Sequence, residues 1–245
     1  MKCIILAAGY ATRLYPLTEN FPKPLLKVGE KPILEWLIDD IQTSGLVDGY
    51  IVISNHKFAA AFEAWAGSLS VPVTVVDDGT ETNDTRLGAV KDIQFAVEQL
   101  GIDDDVVLLA GDNVLDFSLV PFIRYGVDSG CSCIMCYEEN ALEKQQRTAI
   151  ITVDAEQTIT SYEEKPKAPK SNLAVPPFYY YRSAELQRIP EALAAGCGYD
   201  APGSLAAWLS TKVPMKAWKM PGKRYDIGNL ESYEAVRTSY RGPIK

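Results

Sequence analysis

The hydrophobic positions in the first half of the chain form short continuous runs that alternate with longer amphipathic segments. The runs are rich in β-branched residues and too short for helices, whereas the segments between them repeat apolar residues at intervals of three and four. Strands are predicted at 3–7, 50–54, 71–76 and 105–110, and helices at 32–41, 57–65 and 86–100. This alternation predicts a Rossmann-like α/β fold, with a mixed, mostly parallel sheet flanked by helices.

The second half of the chain has a different pattern, in which apolar runs follow one another with short links and no long helices between them. Strands are predicted at 131–137, 148–153, 158–163 and 173–181, followed by helices at 184–195 and 202–210, a strand at 213–218 and a helix at 230–239. Short links are typical of antiparallel strands, so we expect an antiparallel flap on the main sheet. A chain of 245 residues with 47% hydrophobic content is expected to form one domain, residues 1–245.

The first predicted strand runs directly into a loop of small residues, 8–13, that contains Gly9 and ends at Arg13. We call residues 8–13 the glycine loop. In open α/β sheets ligands bind beyond the carboxyl ends of the strands, and small side chains let backbone N–H groups approach an anion. Neither a Walker A motif nor a G-x-G-x-x-G motif is present. Further on, Pro22 and Pro24 disfavour a helix and predict a stiff extended segment that holds Lys23.

The charge of the chain is uneven along its length. Residues 1–31 carry five basic residues and two acidic ones, whereas the whole chain has a net charge of −8 and an isoelectric point near 4.8. A cationic strand end on an acidic protein favours a small polyanionic ligand and argues against nucleic acid or an anionic membrane as a partner. No apolar run approaches the roughly 18 residues of a membrane span, so we expect a soluble, cytoplasmic protein.

The cysteines and the single histidine bear on metal and nucleophile chemistry. Cys131, Cys133 and Cys136 lie close together, but they fall within a predicted strand, where free cysteine behaves as a small hydrophobic residue. His56 is the only histidine, which leaves a zinc site without its usual partners. No serine lies in a G-x-S-x-G motif. We therefore expect neither a zinc site nor a serine hydrolase.

The segment that carries both Gly9 and Lys23 reads LAAGYATRLYPLTENFPKPLL. It resembles the signature of the sugar-1-phosphate nucleotidylyltransferases, L-A-A-G-x-G-T-R-L-x-P-L-T followed by P-K-P. It departs from the signature at Ala11, where the family usually has glycine and where a methyl group narrows the room around the phosphates. The resemblance implies the nucleotide-diphospho-sugar transferase fold, with a nucleotide-binding half to about residue 130 and a sugar-phosphate-binding half from about 131 to 245. It also leads us to expect a short form, without the hexapeptide-repeat β-helix of bifunctional relatives.

The resemblance implies an enzyme that condenses a nucleoside triphosphate with a sugar 1-phosphate to give a nucleotide sugar and pyrophosphate. UTP or dTTP and a glucose 1-phosphate-like sugar are the favoured substrates, and the product would serve as a precursor of cell-surface polysaccharide. Arg13 and Lys23 are implied to be the catalytic residues, acting on the pyrophosphate portion and the α-phosphate. The implied nucleotide contacts are Leu6, Ala7, Ala8, Gly9, Thr12, Arg13, Asn83, Gly88 and Asp112. Whether the chain forms a homo-oligomer stays open.

Two aspartates are candidates for a metal site. Asp112 follows a predicted strand in the sequence Gly-Asp-Asn, and Asp226 precedes the last predicted helix. Taken alone, each could simply cap a turn or a helix. The resemblance implies that both bind Mg²⁺, which a nucleoside triphosphate brings with it and which takes one or two protein carboxylates.

A charged segment between two strands of the flap, 163–172, is the candidate sugar-phosphate site. Such charge runs are commonly solvated turns. The sequence EEKP resembles the family's E-K-P element, which implies that Glu164 accepts hydrogen bonds from sugar hydroxyls and that Lys165 binds the phosphate. By the same resemblance, Val175 offers backbone contacts to the sugar.

Two other functions stay open at this stage. A cytidylyltransferase of the same fold could act on phosphocholine or an aminophosphonate, with Phe178 and the tyrosines at 179–181 forming part of an aromatic cage. Alternatively, the protein could be a catalytically silent sensor of nucleotide sugars. Detectable release of pyrophosphate would separate an enzyme from a sensor.

Overall fold

The structure is a computed structural model that describes residues 1–243. In this part of the chain the strands are Lys2–Leu6 (β1), Lys27–Val28 (β2), Lys31–Pro32 (β3), Gly49–Ser54 (β4), Val73–Asp77 (β5), Val106–Ala110 (β6), Asn113–Leu115 (β7), Cys133–Glu138 (β8), Ala149–Val153 (β9), Ile159–Glu164 (β10), Leu173–Val175 (β11), Phe178–Tyr181 (β12), Lys216–Lys219 (β13) and Arg224–Asp226 (β14). The helices are Ile33–Gln42 (α1), His56–Ala66 (α2), Ala89–Leu100 (α3), Val120–Ser129 (α4), Leu142–Gln145 (α5), Ser183–Leu186 (α6), Ile189–Ala194 (α7), Gly203–Leu209 (α8) and Leu230–Arg237 (α9). None of the helices in residues 1–243 is long and apolar enough to cross a membrane.

The chain folds into two compact units, each made of separate segments. The first unit comprises Met1–Leu87, Leu109–Pro121 and the C-terminal stretch from Pro221, and the second comprises Gly88–Leu108 and Phe122–Met220. Strand β6 therefore contributes residues to both units. The expected single domain was divided into a nucleotide-binding half and a sugar-phosphate-binding half, which are defined by their ligands and not by packing. That single domain stays a prediction.

The first unit contains a parallel ladder formed by β1, β4 and β5. Cys3 lies opposite Tyr50 in the first pair of strands, and Val52 lies opposite Val75 in the second. Helix α2 packs on β4 and β5, and the apolar face of α1 is buried. Burial on both faces explains why these strands have continuous apolar runs rather than an alternating pattern.

The second unit is built mainly from antiparallel strands. Strand β8 pairs with β11 and β12, and β9 pairs with β10 and β11, all antiparallel, while β13 pairs with β8 in parallel. The run at 173–181, expected to be one strand, is two strands because Pro176 and Pro177 interrupt it. The prediction of a mixed sheet flanked by helices, with an antiparallel second part, is confirmed.

Two further local expectations were wrong for identifiable reasons, and some elements were not predicted. Lys23 is not on an extended segment but begins a 3-10 turn, Lys23–Leu25, in which Leu26 N–H donates to the Lys23 carbonyl at 3.0 Å. Proline is compatible with such a turn because its fixed φ suits the first helical positions, where no N–H is needed. The helix expected at 184–195 is two short helices, α6 and α7, with Pro190 in the first turn of the second. Helix α4 and the strand pair β7 and β14 were not predicted.

A hydrophobic cluster in the first unit supports the residues that the sequence analysis singled out. Leu14 and Ile227 are both buried in it, together with Val114 and Tyr233 from β7 and α9. Fully burying a leucine or isoleucine contributes about 1.5–3 kcal/mol to stability. Because Leu14 follows Arg13 and Ile227 follows Asp226, the cluster fixes the backbone beside both charged residues.

Candidate active site

The backbone of the glycine loop is anchored at its start and open in its middle. Ala7 N–H donates to the Ile53 carbonyl at 2.9 Å, and Asn55 Nδ2 donates to the Ala8 carbonyl at 2.9 Å. Within residues 1–243, the N–H groups of Ala8, Gly9 and Ala11 donate no hydrogen bond to protein groups. Free N–H groups at the carboxyl end of a parallel strand are suited to bind phosphate oxygens.

Ala11, the position that departs from the family signature, has left-handed backbone angles. Its φ is 48° and its ψ is 41°, and its carbonyl accepts hydrogen bonds from Thr18 Oγ1 at 2.8 Å and Leu14 N–H at 3.0 Å. For a residue with a Cβ this conformation costs roughly 1–2 kcal/mol. The left-handed backbone conformation is therefore a second reason for the glycine of the signature, in addition to the room that glycine leaves around the phosphates.

Thr12 and Arg13 lie on a 3-10 turn that ends in the buried side chain of Leu14. Both side chains are exposed. In the described chain, the guanidinium of Arg13 makes no hydrogen bond or ion pair. Arg13 is thus free to contact a ligand on the open side of the glycine loop.

Lys23 and Asp112 form the closest charged pair among the predicted site residues. Lys23 Nζ donates to Asp112 Oδ2 at 2.8 Å, and the side chain of Lys23 is only 10% exposed, against 35% for that of Asp112. A nearly buried ammonium group requires such a partner because an unpaired buried charge is strongly unfavourable. The rigid turn between Pro22 and Pro24 holds the lysine in place.

Asp112 and Asp226 are brought together by β7 and β14, which we call the carboxylate ribbon. Asp226 lies opposite Asn113 in this antiparallel pair, and Ile227 N–H donates to the Asp112 carbonyl at 3.1 Å. Asn113 Nδ2 donates to Asp112 Oδ1 at 2.6 Å. The ribbon therefore brings the backbones of the two predicted metal ligands close together, although they are 114 positions apart in sequence.

Arg224 extends this network toward Asp226. Its NH1 group donates to Asn113 Oδ1 at 2.6 Å and lies 3.5 Å from Asp226 Oδ2. Sequence analysis missed both Asn113 and Arg224. A signal existed for each, because Asn113 directly follows Asp112 and because residues two apart in a strand, such as Arg224 and Asp226, point to the same face.

The two carboxylates fit a Mg²⁺ site that is completed by a substrate. Both side chains are partly exposed, and their oxygens are the hard ligands that Mg²⁺ prefers. Lys23 and Arg224 already balance part of their negative charge. No group of three or more Asp, Glu, His or Cys side chains suited to a metal occurs within residues 1–243. A metal here would thus depend on phosphate oxygens and water for its remaining ligands.

In the second unit, Glu164 and Val175 flank the same residue. Both lie opposite Ala149 of β9, Glu164 from β10 and Val175 from β11. The neighbouring Thr148 contacts both sides, since its carbonyl accepts from Lys165 N–H at 3.1 Å and its Oγ1 donates to the Val175 carbonyl at 3.5 Å. Strand register thus brings the three predicted sugar-phosphate residues together around Thr148, which was not predicted from the sequence.

The charges of Glu164 and Lys165 are only loosely paired. Lys165 Nζ lies 3.9 Å from Glu164 Oε1, and the lysine side chain is 62% exposed. Burial raises the pKa of the Glu164 carboxyl, and the positive charge of Lys165 partly lowers it. Lys165 also has left-handed backbone angles, with a φ of 47°. Its ammonium group is therefore available to an incoming phosphate.

Asn83 and Gly88, the predicted base contacts, fall in different units. Asn83 is exposed at the start of a 3-10 turn in the first unit. Gly88 has a φ of 91°, and a Cβ there would lie 2.8 Å from the Tyr199 carbonyl oxygen. Close packing against Tyr199 thus accounts for this glycine independently of any contact with a base.

The aromatic residues considered for a cage around an amine are core residues. Phe178, Tyr179, Tyr180 and Tyr181 are all buried, with at most 3% of each residue exposed. The rings of Tyr179 and Tyr181 stack on each other at 5.7 Å, and the hydroxyl of Tyr180 donates to Asp105 Oδ2 at 2.6 Å. Every position of this strand is buried, which argues against the alternative in which these rings form a ligand cage.

Comparison with known proteins gives consistent results. The chain is 26% identical over 233 residues to the UTP–glucose-1-phosphate uridylyltransferase AglF of Haloferax volcanii. This match covers 94% of this chain and 93% of AglF. It is 28% identical over 246 residues to the low-salt glycan biosynthesis nucleotidyltransferase Agl11 of the same organism, covering 96% of this chain and 66% of Agl11. The chain thus spans about two thirds of the length of Agl11.

The fold is shared with a solved structure of UDP-glucose pyrophosphorylase complexed with UDP-glucose. The TM-score is 0.81 at 20% identity, and the match covers 98% of this chain and 97% of that one. The family model described as "Nucleotidyl transferase" matches residues 2–241. The resemblance and the predicted enzyme class are thereby confirmed, and this chain belongs to the nucleotidyl transferase family.

Proposed function

We propose that the protein condenses UTP or dTTP with a sugar 1-phosphate resembling glucose 1-phosphate, giving a nucleotide sugar and pyrophosphate. The observation that carries the proposal is the buried Lys23, paired with Asp112 at 2.8 Å. Free N–H groups in the glycine loop add to it. The similarity to AglF, a UTP–glucose-1-phosphate uridylyltransferase, supports the choice of UTP and glucose 1-phosphate.

The reaction needs no protein nucleophile. An oxygen of the sugar phosphate attacks the α-phosphorus of the nucleotide in line with the departing pyrophosphate, so catalysis consists of positioning and charge neutralisation. In this proposal Arg13 and the N–H groups of the glycine loop bind the pyrophosphate portion. Lys23 binds the α-phosphate, where bonding changes most.

Asp112 and Asp226 would hold Mg²⁺ with the phosphates of the nucleotide. A bound Mg²⁺ supplies charge neutralisation on phosphate oxygens. The chain's own contribution is to fix the two aspartates at one end of the carboxylate ribbon, with Asn113 orienting Asp112. Arg224 holds Asn113 in turn and limits the electrostatic repulsion between the two acids.

The sugar phosphate is assigned to the second unit. Glu164 would accept hydrogen bonds from sugar hydroxyls, Lys165 would bind the phosphate, and the backbone of Val175 would line the sugar. The raised pKa of Glu164 reflects a partly desolvated carboxyl, which is suited to accept hydrogen bonds from neutral hydroxyls. We further propose that residues 1–245 act as one nucleotidyltransferase domain in the cytoplasm.

A screen of pyrophosphate release tests the proposal. Five nucleoside triphosphates are each combined with a panel of sugar 1-phosphates, phosphocholine and an aminophosphonate, with and without Mg²⁺. We expect release only with Mg²⁺, and the highest kcat/KM with UTP or dTTP and a hexose 1-phosphate. Highest activity with CTP and phosphocholine would instead establish the cytidylyltransferase. Binding of nucleotide sugars without any release would establish the sensor.

A further inference from the structure

Tyr10 occupies the variable position of the glycine loop, yet its side chain is buried. Only 6% of the residue is exposed, whereas the neighbouring Gly9, Thr12 and Arg13 are exposed. The ring packs near Phe58 with centroids 6.4 Å apart, and the hydroxyl donates to the Thr80 carbonyl at 2.9 Å. The side chain of Tyr10 therefore points from the loop into the protein interior.

Thr80, the acceptor of that bond, is itself held firmly. It is 6% exposed, and its carbonyl also accepts from His56 N–H, at 2.9 Å. Its N–H and its Oγ1 both donate to Asp78 Oδ1, each at 2.7 Å. Asp78 N–H donates to the Ser54 carbonyl at 2.9 Å. The turn after β5 is therefore tied to the end of β4 and the start of α2.

The carboxylate of Asp78 lies in an environment that is unfavourable for a charged group. The residue is 8% exposed, and its Oδ2 atom has no hydrogen-bond partner among residues 1–243. Burying an unsatisfied polar atom destabilises a protein, so the residue needs a compensating role. The Oδ1 atom of Asp78 has such a role, because it accepts hydrogen bonds from both the N–H and the Oγ1 of Thr80.

We propose that Asp78, Thr80 and Tyr10 are positioning residues that hold the glycine loop in the conformation that exposes its N–H groups to the nucleotide. We call this chain of hydrogen bonds the Tyr10 tether. Asp78 orients Thr80, Thr80 accepts from Tyr10, and Tyr10 fixes the middle of the loop. The assignment of the ligand rests on the proposed function, whereas the fixing of the loop does not.

Apart from the hydrogen bonds that the Ala11 carbonyl accepts from Thr18 Oγ1 and Leu14 N–H, the rest of the loop has few other restraints. A Cβ built at Gly9 would meet no atom within 4 Å, and Ala11 is in the left-handed region, which an alanine leaves readily when it is not restrained. Between the anchor at Ala8 and the buried Leu14, Tyr10 is the only buried side chain. Loss of the tether should therefore loosen the loop rather than unfold the protein.

The test compares Tyr10→Phe with the control Tyr233→Phe. Tyr233 also donates a 2.9 Å hydrogen bond from its hydroxyl to a backbone carbonyl, that of Lys27, so both variants lose the same kind of bond. For Tyr10→Phe we expect the KM for the nucleotide to rise roughly 5- to 10-fold, with kcat changed less than about 2-fold. Amide hydrogen exchange in the free protein should be faster at Leu14 and Tyr15, whose N–H groups donate to the carbonyls of Ala11 and Thr12 in the loop. The control should match the wild type in both measurements.

Two further variants examine the inner part of the tether. Asp78→Asn keeps an oxygen acceptor for Thr80 and should retain the wild-type KM and exchange rates. Asp78→Ala removes the acceptor and should behave like Tyr10→Phe. Melting temperatures show that each variant is folded.

Unchanged exchange at Leu14 and Tyr15 in Tyr10→Phe, or an equal effect in Tyr233→Phe, would overturn the tether. A rise in KM for Asp78→Asn as large as that for Asp78→Ala would remove Asp78 from it. Exchange is measured without nucleotide, so it decides the tether even if the wild type releases no pyrophosphate. That second outcome would overturn the proposed function alone.

Discussion

Lys23 donates a hydrogen bond of 2.8 Å from Nζ to Oδ2 of Asp112, and these two residues are 89 positions apart in the chain. The lysine lies almost wholly inside the protein, whereas the carboxylate is partly exposed. A ligand can therefore approach Asp112 from solvent. The pair joins the 3-10 turn at Lys23 to the carboxylate ribbon within the first unit.

The first prediction concerns Lys23→Ala. We expect kcat to fall about 100- to 1,000-fold with little change in the KM of the nucleotide, because Lys23 acts where charge changes in the transition state. Lys23→Arg should restore little activity, since a buried site shaped for a compact ammonium group does not fit the planar guanidinium. Steady-state kinetics of pyrophosphate release measure both variants. Full activity of Lys23→Arg, or an effect on KM alone, would make Lys23 a ground-state binding residue.

The second prediction concerns the two aspartates of the carboxylate ribbon. Asp226→Asn and Asp112→Asn should each lower kcat about 100-fold or more, and the double variant should be little worse, because residues that act as one unit are not additive. The Mg²⁺-dependent rise in melting temperature in the presence of nucleotide should disappear in each. Normal turnover of Asp226→Asn at saturating Mg²⁺ would exclude that residue from a metal site.

The sequence predicted the parallel strands and the position of the glycine loop because these depend on local patterns. Continuous apolar runs specify buried strands, and Gly9 with its small neighbours specifies an open turn. The same local reasoning failed at Lys23, where two prolines were compatible with either an extended segment or a 3-10 turn. It also failed at 173–181, where the prolines at 176 and 177 separate two strands.

The missing parts of the candidate site depend on contacts between distant residues. Arg224 is linked to Asp112 through Asn113, on a pair of three-residue strands too short to give a periodic signal. Tyr10 appeared to be a variable loop residue, because nothing in a single sequence indicates that its hydroxyl reaches Thr80, 70 positions away. The roles of the site residues toward nucleotide, sugar and metal stay predictions.

The third prediction separates Lys165 from Lys23. Lys165→Ala should raise the KM for the sugar phosphate about 10-fold and change kcat little, because it binds a charge that is already present in the ground state. Lys167→Ala, two residues further along and also exposed, is the matched control and should resemble the wild type. Kinetics with the sugar phosphate as the varied substrate distinguish the two. Equal effects of both variants would point to a general electrostatic contribution of the segment.

The fourth prediction concerns the departure from the family signature. Ala11→Gly should stabilise the protein by up to about 1 kcal/mol, because glycine adopts left-handed angles without strain, although it gains flexibility in the unfolded state. Gly45→Ala makes the reverse change at a φ of 67° where a Cβ meets no atom within 4 Å, and it should destabilise by about 1 kcal/mol. Urea unfolding measures both. A loss of stability in Ala11→Gly would show that the loop benefits from the stiffness of alanine.

The last prediction concerns the pH dependence of stability at Asp78. Burial raises the pKa of this carboxyl, and its hydrogen bonds from Thr80 only partly oppose the shift. The native state therefore binds this proton more tightly than the unfolded state does. As the pH rises from the ordinary carboxyl pKa of the unfolded state to the raised pKa of the native state, the Asp78 carboxyl lowers the free energy of unfolding. Asp78→Asn cannot ionise and should lose this dependence while keeping the acceptor for Thr80.

We therefore expect the free energy of unfolding of Asp78→Asn, relative to the wild type, to increase with pH across that window and then to stay constant above it. Urea unfolding at a series of pH values from about 4 to 8 measures the difference. Asp77, which is partly exposed and pairs with His56 at 2.6 Å, provides the contrast. The pKa of His56 is raised by its hydrogen bond to Asp77, so Asp77→Asn should remove stability below the raised His56 pKa and have less effect as the pH rises through it. A flat difference curve for Asp78→Asn would show that this carboxyl titrates alike in the native and unfolded states.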